Sequence, residues 1–76
     1  MKNPNQLSIL RTDIKTKKKV KVIQPIFKQH SQIVSWSIDI EDIDNVLRIE
    51  HATSIKENDI ISILKKSGFY SEPLKD

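Results

Sequence analysis

The residues best suited to recognition form a lysine cluster near the amino terminus: Lys15, Lys17, Lys18, Lys19 and Lys21. Clustered cations attract acidic protein surfaces and phosphates. Thr16 can cap a helix that begins within the cluster, and the free N–H groups at a helix N-terminus also favour anions. These residue types predict docking of an acidic protein partner. An anion or nucleic-acid binder and a simple solvated surface are the alternatives.

The lack of aromatic residues among the lysines argues against the nucleic-acid alternative. None is interleaved with the lysines, whereas an RNA-recognition sheet needs stacking aromatics. Trp36 stands alone on an apolar strand and is interpreted as a core residue.

The remaining chemistry-bearing residues are sparse. The chain has no cysteine, which excludes disulfides, thiol nucleophiles and thiolate metal sites. No Ser–His–acid set or glycine-rich phosphate loop can be assembled, so we expect no enzyme, catalytic residue or cofactor. His30 and His51 are interpreted as surface histidines at a helix end and a strand end. With Met1, they leave a weak metal-ion binding or transport protein as an alternative.

Length and charge place further bounds on function. Seventy-six residues allow one small domain, and no apolar run is long enough for a membrane helix. No signal peptide opens the chain, so a cytoplasmic location is expected. Residues 1–38 carry eight cations against Asp13 alone, a net +7, while residues 39–76 carry five cations against nine anions, a net −4. The basic half can therefore attract the acidic second half of the chain itself or an acidic partner.

Hydrophobic spacing in the first half predicts a strand over residues 7–14 and then a helix capped by Thr16. Val20, Ile23 and Phe27 recur at helical spacing. Pro25 interrupts this helix, and a strand over residues 19–23 is the competing prediction.

The second half is more regular. Val34, Trp36, Ile38 and Ile40 alternate with polar residues and predict a half-buried strand. After an acidic turn over residues 41–45, residues 46–51 complete an antiparallel hairpin. A capping box at Ser54 and Glu57 then predicts a second helix. That helix ends at Gly68, and residues 69–74 form an edge strand.

This order predicts an α+β, ferredoxin-like βαββαβ sandwich over residues 7–74, after a flexible N-terminus at 1–6. A four-stranded antiparallel sheet would carry both helices on one face. The predicted core combines residues of both layers: Phe27, Trp36, Ile38, Leu47, Ile49, Ile60, Ile63 and Leu64.

Several segments share a register with one family. Ile14 ends the first strand, Ile23 and Phe27 take two helix core positions, and the stretches 36–39 and 60–69 read W-S-I-D and I-I-S-I-L-K-K-S-G-F. The chain thereby resembles the heavy-metal-associated domain of small copper chaperones and metal-transporting P-type ATPases. The resemblance covers about residues 7–74 and implies docking on partner domains through the metal-loop face.

The most specific motif of that family is missing. Thr16 and Lys19 stand where the family has the two cysteines of its C-x-x-C metal loop. Copper(I) and zinc prefer anionic sulfur, whereas Thr16 offers a neutral hydroxyl and Lys19 a repelling cation. The resemblance therefore implies the scaffold without its metal site, and we expect no tightly held metal at this loop.

Overall fold

The computed structural model describes residues 5–74. Its elements are β1 (Gln6–Thr12), α1 (Lys17–Lys28), β2 (Ile33–Ile38), β3 (Leu47–His51), α2 (Glu57–Lys66) and β4 (Ser71–Pro73). Most of the predicted flexible terminus, including Met1, lies outside the described residues, and β1 begins at Gln6. Within residues 5–74, neither helix has the length and apolarity needed to cross a bilayer.

The four strands form one antiparallel sheet in the order β2-β3-β1-β4. This confirms the predicted ferredoxin-like fold and leaves β2 and β4 at the two edges. Trp36 pairs with Ile49, and Ile38 pairs with Leu47. The two β2 side chains therefore share the core face of the sheet, as the alternation predicts.

A single core holds the two layers together. Ile23 and Phe27 of α1 and Ile60 and Leu64 of α2 all join one buried cluster with residues of the sheet. Both helices must therefore pack on the same face. Trp36, Ile38 and Ile63, which the sequence places in this core, are only partly buried at its margin. Leu10, Ile14 and Ile55 are buried members that the predicted core lacks.

Helix α1 begins as predicted and continues through its proline. The Lys19 N–H donates to Thr16 Oγ1 at 3.1 Å, so Thr16 is the N-cap. Pro25 removes one helical bond to the Lys21 carbonyl, but it lies in the final turn and on the exposed side. Burial of Ile23 and Phe27 holds the segment in the helix, and the competing strand prediction is wrong.

Helix α2 ends as predicted but begins later than the sequence suggests. The predicted capping box at Ser54 and Glu57 is wrong, since Lys56 is the N-cap and its N–H bonds Asp59 Oδ2 at 2.9 Å. Ile55 is buried, and this fixes the chain just before the helix. At the other end Gly68 has φ +90°. The N–H of Phe69 reaches the Leu64 carbonyl at 2.9 Å, which closes a glycine-terminated helix end.

Strand β2 contains an irregularity that alternation alone does not reveal. The register with β3 shifts between Ile33 and Ser35, so Ile33 packs toward the core while Val34 is 54% exposed. The prediction that Val34 lies on the buried face is therefore wrong. A bulge of this kind turns a side chain outward at a sheet edge.

Candidate interaction surface

The loop between β1 and α1 is held firmly at its β1 end. Thr12 Oγ1 donates to the Asn45 carbonyl at 2.7 Å and accepts from the Ile14 N–H at 3.1 Å. The Ile14 side chain is fully buried. Asp13 and Tyr70 exchange bonds, with the Tyr70 N–H donating to Asp13 Oδ1 at 3.0 Å and the Asp13 N–H donating to the Tyr70 carbonyl at 3.3 Å. The loop therefore leaves the core along a defined path.

Thr16 and Lys19 meet at the start of α1. Thr16 lies three residues before Lys19, and the Lys19 N–H donates to Thr16 Oγ1. This bond places the Thr16 side chain over the first turn of α1. Two thiolates at these positions would lie at one helix N-terminus. The residues present do not fit a soft metal ion, because the hydroxyl is neutral and already hydrogen-bonded and the ammonium is cationic. No group of three or more metal-ligating side chains occurs within residues 5–74.

All five lysines predicted to form the docking surface lie around this loop and are exposed. We call Lys15, Lys17, Lys18, Lys19 and Lys21 the basic loop surface. Within residues 5–74, none of them forms an ion pair, since the salt bridges there belong to Arg11, with Asp44 and Glu72. The positive charge of the basic loop surface is therefore free to act on a partner.

Arg11 forms salt bridges with Asp44 and Glu72 on the sheet face opposite the helices. The hydrogen bond and charge of Asp44, helped by Glu72, raise the pKa of Arg11. Tyr70 donates its hydroxyl to Glu72, and this bond raises the pKa of Tyr70. These contacts link β1, the acidic turn and β4. The acidic turn is thus partly engaged within the domain itself.

The two histidines lie in different environments. His30 follows the end of α1 and is partly exposed. His51 is only 1% exposed, so the prediction of a surface histidine is wrong for this residue. Its Nδ1 lies 3.1 Å from the Ala52 carbonyl and its Nε2 lies 2.8 Å from Ser8 Oγ. Because a carbonyl only accepts, Nδ1 donates there, and in the neutral imidazole Nε2 then accepts from the Ser8 hydroxyl. Both ring nitrogens are occupied, which removes His51 as a metal ligand.

A groove between α1 and β2 is the surface feature that the sequence reasoning missed. Two depressions there share Gln24. The first is lined by Gln24, Trp36 and some of the residues between them in the chain, and the second by Lys17, Lys21 and Ile38 among others. Phe27 packs edge-on against Trp36, with ring centroids 5.2 Å apart, beneath the first of them. A signal was present, since Lys17, Lys21, Gln24 and Lys28 recur at helical spacing next to the apolar stripe.

Comparison with known proteins supports the fold. No family model matches the chain, and no curated protein matches it. Among solved structures, a chain described as the CsoZ metallochaperone is similar, with a TM-score of 0.74 and 17% sequence identity. The similarity covers 90% of this chain and 97% of the solved one. The two proteins therefore share their overall architecture over almost their full described lengths.

Proposed function

We propose that this protein is a metallochaperone-like interaction module that docks on acidic partner surfaces through the basic loop surface, without a metal held by thiolates. The fold it shares with a metallochaperone supports the scaffold. The absence of cysteine from the chain supports the loss of the metal site. On this proposal the domain is not an enzyme and needs no cofactor.

The observation that carries the proposal is the charge pattern of the two helices. A helix N-terminus favours acidic residues, and a C-terminus favours basic ones. Helix α2 follows this rule, with Glu57 and Asp59 in its first turn and Lys65 and Lys66 in its last. Helix α1 breaks it, because its first turn is Lys17, Lys18 and Lys19 and holds no acidic residue.

The lysines in the first turn of α1 have a cost in stability. Each misplaced charge near a helix end is worth about 0.3–1 kcal/mol. A local rule broken at one site, and obeyed at the equivalent site of the same fold, is typical of a surface that serves binding. These lysines, which are exposed and form no ion pair within residues 5–74, are then a permanent positive docking face.

Charge neutralisation tests this proposal in two measurements. Partners captured by the wild type should associate more slowly with a Lys18→Ala/Lys19→Ala variant at low salt, by roughly tenfold or more, because steering by clustered charge has that size. The rates should converge near 1 M salt, where the Debye length falls to about 3 Å. The same variant should be slightly more stable to urea, because it relieves α1 of two misplaced cations.

Lys65→Ala/Lys66→Ala is the matched control. It removes the same charge from the chain, but from the end of α2, where lysines are favourable. We expect it to lose a little stability and to keep a nearly wild-type association rate. Equal rates for all three proteins at every salt concentration would contradict docking through the basic loop surface.

A further inference from the structure

We propose that the groove between α1 and β2 binds an extended acidic segment of a partner protein, which adds to the free edge of β2 as a further strand. This inference deepens the proposed function and rests on it, because it names the kind of partner segment that docking would hold. The groove has three parts that together select such a segment: a lysine wall, an apolar floor and an open strand edge.

The wall of the groove is basic and lies along one line of α1. Lys17, Lys21, Gln24 and Lys28 recur every three or four residues, so they share one face of the helix. Lys18 lines neither depression, so it is not part of this wall. Among residues 5–74, no acidic residue lines either depression. The wall therefore presents unopposed positive charge to whatever enters.

The floor is apolar and only partly covered. Val20 from α1 and Trp36 and Ile38 from β2 are partly buried residues packed against the core, and all three line the groove. At the bulge, Val34 also lines it and is largely exposed. An occupant would gain apolar contact as well as charge.

The third part is the edge of the sheet. β2 is bonded to β3 on one side and, within residues 5–74, no strand lies on its other side. A free edge is a template for an added strand, whose main-chain hydrogen bonds supply affinity. From Lys17 to Lys28 the wall rises about 16 Å at about 1.5 Å per residue. At about 3.3 Å per residue this length matches roughly five residues of extended chain.

Charge complementarity decides between an acidic partner and a second copy of this chain. Two copies joined antiparallel through β2 would extend the sheet and keep all helices on one face. Their α1 helices would then be neighbours, with the two lysine walls facing one another. Like charges brought together in this way oppose association. An acidic segment would instead place negative charge against the lysine wall, so it is the occupant that the groove favours.

A synthetic peptide tests the inference directly. The probe is the peptide Glu-Val-Glu-Val-Glu-Val-Glu, blocked at both ends. When it is extended, its Glu and Val side chains lie on opposite faces. A shift of one residue in its pairing register therefore turns either the acidic or the apolar face toward the groove. Titrated into the ¹⁵N-labelled full-length chain at low salt, it should shift the side-chain amide of Gln24 and the backbone amides of Trp36 and Ile38. The N–H groups of Trp36 and Ile38 point away from β3, because the register places the β3-bonded positions at Ser35, Ser37 and Asp39. Shifts confined to α2, or none at millimolar peptide, would overturn the proposal.

Two control peptides separate the contributions. A Gln-for-Glu peptide keeps strand propensity and loses the charge, and we expect at least fivefold weaker binding. A peptide N-methylated at two adjacent central residues keeps all four charges and loses a main-chain donor toward β2 in either register, so it should bind at least fivefold more weakly too. Equal binding of the first would overturn acidic recognition, and equal binding of the second would overturn strand addition.

Variants place the site and distinguish it from the basic loop surface. Lys21→Gln/Lys28→Gln should weaken the acidic peptide at least fivefold, whereas Lys65→Gln/Lys66→Gln and Lys18→Ala/Lys19→Ala should leave it within about twofold. Loss in the Lys65/Lys66 control equal to that in the groove variant would overturn the groove as the site. Lys18 and Lys19 do not line the groove. Partner association can therefore prove independent of Lys18 and Lys19 while the peptide still binds, or the peptide can fail to bind while partner association still depends on them. A wild-type dimer in sedimentation that dissociates on disruption of the β2 edge would identify a second copy as the occupant and overturn the proposal.

Discussion

Replacing Thr16 and Lys19 together by cysteine is expected to create a metal site that the wild type lacks. The wild type should bind Cu(I) and Zn²⁺ with a Kd above about 1 mM at this loop, and the double variant with a Kd below about 1 µM, a gain of about 4 kcal/mol. The reason is that the N-cap and the third residue of α1 meet at one helix end, where thiols ionise readily and two thiolates can share an ion.

The loop anchors make this gain a test of geometry. Buried Ile14 and the Asp13–Tyr70 bonds fix where the loop leaves the sheet, so the new thiols should be held close together rather than spread over many positions. Loss of the Thr16 cap will cost about 0.5–2 kcal/mol of helix stability, which metal binding then restores. Calorimetric titration under anaerobic conditions measures both proteins.

Two controls keep this experiment interpretable. Thr16→Cys alone supplies one thiolate and should bind at least tenfold more weakly than the pair. Ser35→Cys/Ser37→Cys puts two thiols on the exposed β2 strand, away from a helix end, and reports non-specific thiol binding. Tight binding by the wild type would contradict the loss of the site. No gain in the double variant would contradict the correspondence of Thr16 and Lys19 to a metal loop.

The second large effect is on stability. Leu64→Ala should cost about 2–5 kcal/mol, because the Leu64 side chain is completely buried in the core between α2 and the sheet. At about 0.05–0.15 kcal/mol per residue, the whole domain has roughly 4–11 kcal/mol. The substitution therefore removes a large share of the total. Urea denaturation followed by circular dichroism measures the change.

The structure refines the same prediction at Ile38. Ile38 is only partly buried at the groove, so Ile38→Ala should cost less than Leu64→Ala, at the low end of that range. Val22→Ala is the matched control, because Val22 lies on α1 and is 49% exposed, and it should change stability by less than about 0.5 kcal/mol. A loss below about 1 kcal/mol for Leu64→Ala would contradict the described core.

The elements that the sequence predicts well are those with a strong hydrophobic period. The alternation of Trp36 and Ile38, and the spacing of Ile60 and Leu64, determine which face is buried whatever surrounds them. Helix α1 was ambiguous because Pro25 and the Val-Lys-Val run favour other structures, and only packing of Ile23 and Phe27 against the sheet decides for the helix.

The features that escape prediction depend on contacts distant in sequence. The outward turn of Val34 follows from a register shift against β3, which no local pattern encodes. His51 is buried because β1 places Ser8 beside it, 43 residues away. The N-cap of α2 lies at Lys56, directly after the buried Ile55, so a capping-box spacing that begins two residues earlier, at Ser54, misleads.

The site was predictable in its charge and not in its shape. The basic loop surface follows from the lysine run, because a helix cap at Thr16 places those residues around one loop. The groove needs the position of β2 at the sheet edge, which depends on the order of the strands in space. Of its residues, the sequence singled out Lys17 and Lys21 as docking candidates but gave Lys28 and Gln24 no part in a site.

Partner binding with and without metal is the most direct test of docking through the basic loop surface. A partner captured by the wild-type protein is titrated in the presence of Cu(I) and again with a copper chelator, at low salt. Because the positive charge of the docking surface comes from lysines, we predict the same Kd within about twofold under both conditions. Binding that requires Cu(I) and disappears with the chelator would contradict a docking surface that works without metal.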